Sequence, residues 1–119
     1  MMFKAIALLT RKPGLSREEF IDYYENNHAP LITETFPQII EYRRNFPDLS
    51  QVLRTEDTPD PTFDVITEMW FQDKDGYADM LATHARPEVG NRIRADEANF
   101  LDQTKIIQFV VDECQLPQS

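Results

Sequence analysis

A short apolar segment followed at once by a helix start most limits what this chain can fold into. Residues 3–10 form an apolar run without helical spacing, and the run is followed by a Lys-Pro-Gly turn signal. Ser16 and Glu19 then match a capping box, in which each side chain bonds the other residue's backbone amide. The sequence therefore predicts a strand and then a helix. Pro30 should end that helix at about residue 27 or 28.

Three more strands and a second helical region complete the pattern. Alternation over residues 38–46 predicts strand two, and residues 63–71 and 104–111 predict strands three and four. Asp73 can cap the second helical region, and Pro87 suits the first turn of a further short helix within it. The order β-α-β-β-α-β is the ferredoxin-like plan, an α+β fold with both helices on one face of the sheet.

The remaining segments are connections and ends. Residues 47–61 are mostly polar and contain three prolines, which predicts a long surface loop. Residues 115–119 follow the last strand and have nothing to pack against, so they should fray. A chain of 119 residues fits one folding unit, and we expect a single domain over residues 1–119.

The charge balance excludes several classes of partner. The chain carries 21 acidic and 12 basic residues, a net charge of −9, which would repel a phosphate backbone or an anionic membrane surface. No stretch approaches the roughly 20 apolar residues of a membrane-spanning helix, and the start lacks the apolar centre of a secretory signal. Cys114 is the single cysteine and cannot form an internal disulfide. We expect a cytoplasmic protein that binds neither nucleic acid nor membrane.

Apolar residues on both faces of strands one, three and four predict a partner. Helices cover one face of the sheet, and an exposed apolar face of that size is uncommon in a monomer. A second copy packed sheet to sheet would cover it and form an eight-stranded barrel with a cavity in each half. The expected assembly is a homodimer.

Several short motifs along the chain match the signature of a known family. They are RKPGLS at residues 11–16, Glu19-Phe20, Tyr23, His28-Ala29-Pro30-Leu31, then Asp64 and Glu68 before Phe71, and Asp96-Glu97 with Phe100-Leu101-Asp102. Through them the whole chain resembles the EthD-domain family. The resemblance implies the dimeric α+β barrel superfamily, which contains isomerases, polyketide cyclases, small dehydratases and decarboxylases of aromatic polyketide pathways, and some haem enzymes.

His28 is the first candidate catalytic residue. It lies one helical turn beyond Tyr24, so both side chains should share one face of the helix. An imidazole can give or take a proton near neutral pH. The resemblance adds that this position is the family's most recognisable polar residue. The alternative is a histidine that caps the last carbonyl groups of the helix.

Glu68 is the second candidate catalytic residue. It lies within an apolar strand, where a carboxylate is either paired or has a raised pKa. It could donate a proton, abstract one from carbon, or orient His28. The alternative is an ion pair with Arg43 or Arg44 on the neighbouring strand, or exposure at a sheet edge.

Aromatic and acidic residues supply the candidate substrate-binding positions. Aromatic rings can stack on a ligand, and a tyrosine hydroxyl can stabilise an enolate oxygen. Asp96 and Glu97 belong to the family-like motif and are expected on an exposed helix face. The predicted substrate-binding residues are Tyr23, Tyr24, Tyr42, Trp70 and Asp96.

The sequence favours cofactor-free chemistry. His28 and His84 are the only histidines and lack metal-ligand spacing, and no glycine-rich phosphate loop is present. We therefore predict no metal and no cofactor. From the reactions that the family resemblance implies and from what these side chains can do, the leading hypothesis is a lyase or isomerase that moves protons on a small aromatic or polyketide-like substrate. The resemblance also implies two alternatives, a non-enzymatic binding protein that accompanies an oxidative degradation pathway and a haem-binding member of the superfamily.

Overall fold

The computed structural model describes residues 2–116. Of the segment predicted to fray, residues 115–119, the last three therefore lie outside the described residues. The strands are β1 (Phe3–Leu9), β2 (Glu41–Asn45), β3 (Val65–Phe71) and β4 (Ile107–Val111). The helices are α1 (Arg17–Tyr23), α2 (Ala29–Thr35), α3 (Lys74–His84) and α4 (Pro87–Glu97). The predicted ferredoxin-like α+β order is confirmed, with the first helix divided into α1 and α2.

The four strands form one antiparallel sheet in the order β2-β3-β1-β4. In β1 and β3 the buried residues alternate with half-buried ones, apart from Lys4, which is buried on the opposite face. Ala5 lies opposite Met69, and Ile6 lies opposite Glu68. We call the side that carries Ala5 and Met69 the inner face and the side that carries Ile6 and Glu68 the outer face. The helices pack against the inner face.

The prediction that Pro30 ends the first helix is wrong. A π-helical turn, Tyr24–His28, joins α1 to α2, and the Ala29 amide donates to the Tyr24 carbonyl. Pro30 lies in the first turn of α2, directly after the π-helical turn. A proline is tolerated at that position because its fixed φ suits a helix and its missing N–H costs at most one hydrogen bond. His28 therefore lies inside a continuous helical run, and the interpretation of His28 as a cap on the last carbonyls is also wrong.

Local cap signals place the other elements. The Ser16–Glu19 capping box is present in full. Asp73 accepts a hydrogen bond from the Gly76 amide at 2.9 Å and starts α3, while Pro87 opens α4. Strand β4 begins later than predicted because Gln103–Lys105 forms a 3₁₀ turn. Residues 47–61 form the predicted long connection, within which Leu49–Gln51 is a short 3₁₀ turn.

The core lies between the inner sheet face and the helices. Its largest fully buried side chains are Tyr24, Phe20, Phe36, Phe71, Phe100, Ile93, Val65 and Thr67. Burial of large apolar and aromatic side chains is the main source of stability in a domain of this size. No helix within residues 2–116 is long and apolar enough to cross a bilayer.

Candidate functional site

A cavity of about 90 Å³ lies between the inner sheet face and the helices. Its apolar wall comes mainly from the strands and from α2 and α3, as expected for a ligand site within an α+β layer. Its polar lining residues are Tyr24, His28, Tyr42, Thr67, His84, Glu97 and Gln108. His28 of the helical run and Glu97 of α4, two titratable residues, therefore line the same partly open cavity.

His28 is held by a carboxylate. Its Nδ1 lies 2.6 Å from Asp96 Oδ2, and the residue is only 4% exposed. The other carboxylate oxygen of Asp96 accepts a hydrogen bond from the Tyr23 hydroxyl at 2.7 Å. Because a carboxylate accepts hydrogen bonds and does not donate them, His28 Nδ1 carries the proton and donates the hydrogen bond to Asp96. The Nε2 atom is then left as an unprotonated acceptor.

The surroundings keep His28 neutral. Burial lowers the pKa of His28 below 6.5, and the hydrogen bond and charge of Asp96 partly oppose that shift. The Tyr24 ring meets the imidazole edge-on at 5.1 Å between ring centres, and Phe100 lies at 4.9 Å. An oriented, neutral imidazole with a free nitrogen is the form that can accept a proton near neutral pH.

Three hydroxyl groups form a connected network on the sheet side of the cavity. The Tyr24 hydroxyl lies 2.6 Å from Thr67 Oγ1 and 2.9 Å from the Tyr42 hydroxyl. Burial raises the pKa of Tyr24 to about 12 and holds the pKa of Tyr42 well above 10. Both tyrosines therefore stay protonated, and the network can offer a hydroxyl donor to a ligand oxygen.

Glu97 lines the same cavity, next to Asp96 in α4. Burial raises the pKa of Glu97 above 4.5; the Gln103 side chain opposes the shift and the charge of Asp96 adds to it. The expectation that Asp96 and Glu97 lie on an exposed helix face is therefore wrong. The i, i+4 spacing of Ile93 and Glu97, with Ile93 buried, is the sequence signal that could have placed Glu97 inward.

His84 is a second titratable cavity residue that the sequence analysis did not propose for the site. It ends α3 and its ring lies 6.1 Å from that of Phe36. Burial lowers the pKa of His84 below 6.5, and the Arg94 charge adds to the shift. Among residues 2–116, no three histidine, cysteine or acidic side chains are grouped closely enough to hold a metal ion.

Glu68 does not meet His28. Side chains alternate along β3, so Thr67 and Met69 face the cavity while Glu68 lies on the outer face. There the Glu68 carboxylate pairs with Lys4 Nζ at 2.8 Å, and the hydrogen bond from Lys4 lowers the pKa of Glu68. The hypothesis that Glu68 orients His28 is therefore wrong, and the expected partner, Arg43 or Arg44, is replaced by Lys4.

The aromatic candidates divide between the two faces. Tyr24 and Tyr42 line the cavity. Tyr23 lies behind Asp96, where its ring stacks on Phe100 at 5.0 Å. Trp70 lies on the outer face, with Lys4 Nζ 4.5 Å above its ring, so it is not part of the cavity wall. The structure thus brings together His28, Asp96, Tyr24 and Tyr42, and separates Glu68 and Trp70 from them.

Solved structures with the same fold cover nearly the whole chain. An EthD-family protein from Bacillus halodurans is 22% identical, with a TM-score of 0.63 over 96% of this chain and 100% of that one. A dimeric ferredoxin-like protein from Bacteroides fragilis is 13% identical, with a TM-score of 0.57 over 94% and 96%. SnoaB from Streptomyces nogalater, described as a cofactor-independent oxygenase, is 14% identical, with a TM-score of 0.56 over 97% and 95%.

Sequence comparison agrees with these structural similarities. No curated protein matches the chain. The sequence profile of the EthD domain matches residues 12–104, which include His28, Asp96 and Glu97. This match covers well over half of the 119 residues, and the chain therefore belongs to the EthD-domain family.

Proposed function

We propose that the protein is a cofactor-independent lyase or isomerase that uses His28 as a general base on a small aromatic or polyketide-like substrate. The observation that carries this proposal is the 2.6 Å contact between His28 Nδ1 and Asp96, made by a histidine that lines the cavity. SnoaB, a cofactor-independent oxygenase of the same fold, supports the idea that this architecture suits chemistry without a cofactor.

The proposed step is proton removal from carbon next to a carbonyl group. The unprotonated Nε2 of His28 takes the proton, the electron pair of the broken C–H bond forms a C=C bond, and the π pair of the carbonyl moves onto its oxygen to give an enolate. Asp96 stabilises the resulting imidazolium through Nδ1, as the carboxylate of a catalytic triad does. Dehydration, decarboxylation, cyclisation and isomerisation differ in what the enol or enolate does next, so this step alone does not select among them.

The size of the cavity supports a small ligand. An engineered apolar cavity of about 150 Å³ admits benzene. At about 90 Å³ this cavity is smaller, so a single ring would enter with some movement of the lining side chains. Flexible Met69 and Met80 are part of the lining and can supply that movement.

Exchange of carbon-bound protons tests the proposal without the natural substrate. Cyclohexanone is a neutral, single-ring ketone whose α-protons exchange with deuterium in D₂O through the enol. Proton NMR follows the loss of the α-proton signal. We expect the wild-type protein to accelerate this exchange over buffer. His28→Asn keeps a donor toward Asp96 but removes the base, and should lower the protein-dependent rate by about 10²-fold or more. No acceleration by the wild type, or equal rates in both proteins, would overturn the proposal.

A binding protein is the second candidate function. The mutual hydrogen bonds of Tyr24, Tyr42 and Thr67 satisfy much of the polar lining, and an apolar cavity with few free polar groups suits ligand storage as well as catalysis. Binding of cyclohexanone without exchange of its protons, detected by chemical-shift changes at the cavity residues, would favour this function over an enzyme.

We also propose that two copies pack through the outer face as a homodimer. Strand β4 exposes Ile107 and Phe109 on this face, at 54% and 39%, and β1 adds Ile6 and Leu8 beside them. The dimeric ferredoxin-like protein from Bacteroides fragilis supports this arrangement. Light scattering at micromolar concentration should give twice the chain mass. Phe109→Asp places a charge on this face and should shift the protein toward monomer; a wild-type monomer would contradict the proposal.

A further inference from the structure

Glu97 occupies a position in the cavity that general-base chemistry at His28 does not explain. It shares the cavity lining with His28, yet its neighbour Asp96 already holds the imidazole. Ile93, one helical turn before Glu97, is 2% exposed and lines the same cavity. The inward face of α4 therefore contributes Glu97 to the cavity lining, beside an apolar side chain.

The two cavity groups are suited to opposite halves of a proton transfer. Burial favours the neutral form of each, which is a base for an imidazole and an acid for a carboxyl group. Burial thus favours a neutral imidazole and a protonated carboxyl group in the same cavity, and these are the forms that a general base and a general acid need. The tyrosine hydroxyls are less suitable as acids, because the pKa of Tyr24 is about 12 and it is hydrogen-bonded to Tyr42 and Thr67.

We propose that Glu97 is the general acid of the cavity and protonates the carbonyl oxygen of a substrate whose α-carbon lies against His28. This inference rests on the proposed function and assigns a second catalytic residue to it. The α C–H bond breaks, its proton goes to His28 Nε2, and its electron pair forms the C=C bond of an enol. The carbonyl oxygen takes the proton from Glu97, so no oxidant or reductant is needed. The expected substrate class is a neutral, enolisable ketone.

The charged groups around Glu97 set its response to pH. On α4, Asp96 favours the protonated carboxyl and Arg94 opposes it, and Gln103 of the following turn bonds the ionised form. The titratable groups that line the cavity from the other elements are His28, His84, Tyr24 and Tyr42, and both tyrosines stay protonated. Exchange should need a protonated Glu97 and a neutral His28, and should therefore decrease at both ends of the pH range.

Exchange of cyclohexanone α-protons in D₂O, measured against pH, tests this role. Glu97→Gln keeps the size of the side chain and a hydrogen-bond donor but cannot release a proton. We expect its protein-dependent rate to decrease by about 10-fold or more and its high-pH decrease to disappear. Glu88→Gln is the matched control, because Glu88 lies on the same helix at an exposed position, paired with Arg86. It should keep both the rate and the pH profile of the wild type.

The outcomes separate this inference from the proposed function. If His28→Asn abolishes exchange while Glu97→Gln keeps the wild-type rate and profile, the function stands and the role of Glu97 falls. If His28→Asn has no effect, the proposed function itself falls. Carbon-13 NMR of the Glu97 carboxyl in the wild type gives a check that needs no variant. A measured pKa at or below 4.5 would overturn the role, and a measured pKa above 4.5 would support it.

Discussion

The two faces of the sheet use the same strands for different purposes. On the inner face, Thr67 and Met69 of β3 help to line the cavity that His28 also faces. On the outer face, the intervening Glu68 is held by Lys4 at 2.8 Å and is bonded by Asn45 at 3.0 Å. Both faces carry buried or half-buried ionisable groups. The two faces differ in how many of the hydrogen-bonding and charged positions of those groups have a partner.

That difference supports the proposal that the inner face carries the chemistry. The Glu68 carboxylate is paired with a full opposite charge, which keeps it ionised and leaves it little reason to exchange a proton. His28 has one nitrogen bound to Asp96 and one free, and Glu97 is favoured in its protonated form by burial. A titratable group that is held in place but is not kept ionised by an opposite charge can take part in proton transfer.

The largest expected effect separates the faces by activity. His28→Asn should lower the exchange of cyclohexanone α-protons by about 10²-fold or more, because it removes the base. Glu68→Gln should leave the same rate unchanged, since Glu68 lies across the sheet from the cavity. Both rates are measured by proton NMR at equal protein concentration. A decrease in the Glu68 variant that matches the His28 variant would erase the distinction between the faces.

The next effect concerns the buried hydroxyl network of the inner face. Tyr24→Phe leaves Thr67 and Tyr42 without a buried partner, and should lower the free energy of unfolding by about 1–3 kcal/mol. Tyr77→Phe is the control, because the Tyr77 hydroxyl accepts only an exposed bond from Gln108, and it should change stability by less than about 0.5 kcal/mol. Urea unfolding at one fixed protein concentration measures both variants; equal losses would contradict this view.

The pH dependence of stability should differ in sign between the two cavity groups. The pKa of His28 is lower in the folded state, so its contribution is present above about pH 6.5 and is lost as the pH falls below that value. The pKa of Glu97 is higher when folded, so its contribution grows as the pH falls toward 4.5. Between pH 7 and 5, His28→Asn should make the loss of unfolding free energy shallower, and Glu97→Gln should make it steeper. Urea unfolding across this range checks both; the same direction in both variants would contradict it.

The smallest effect is expected on the outer face. In the Phe109→Asp background, which should keep the outer face open to solvent, Glu68→Gln should lower the free energy of unfolding by about 0.2–1 kcal/mol, as for a partly exposed ion pair, and 1 M salt should remove most of the difference. Urea unfolding at low and high salt measures it. A loss of about 3 kcal/mol or more that salt does not change in this background would contradict a partly exposed pair.

The chain order of strands and helices could be predicted because the signals are local. The Ser16–Glu19 capping box, the Asp73 cap and Pro87 each act within one turn of helix, and all three are present. The alternation of β3 can also be predicted, because successive side chains of a strand point to opposite faces and every second residue therefore shares a face. Which face of β3 meets the helices was not readable, because both of its faces carry apolar residues.

The site itself depends on contacts between distant parts of the chain. His28 and Asp96 are 68 positions apart and meet because the helical run continues through Pro30 and packs beside α4. The residue before a proline disfavours helical geometry, which predicts a helix end near Ala29. The packing of Tyr24 and His28 against Phe100 overrides this local preference. Residue types and spacing therefore identify His28 as a candidate base, whereas its partner Asp96, its separation from Glu68 and the inward position of Glu97 follow from packing, because burial and pairing depend on the assembled fold.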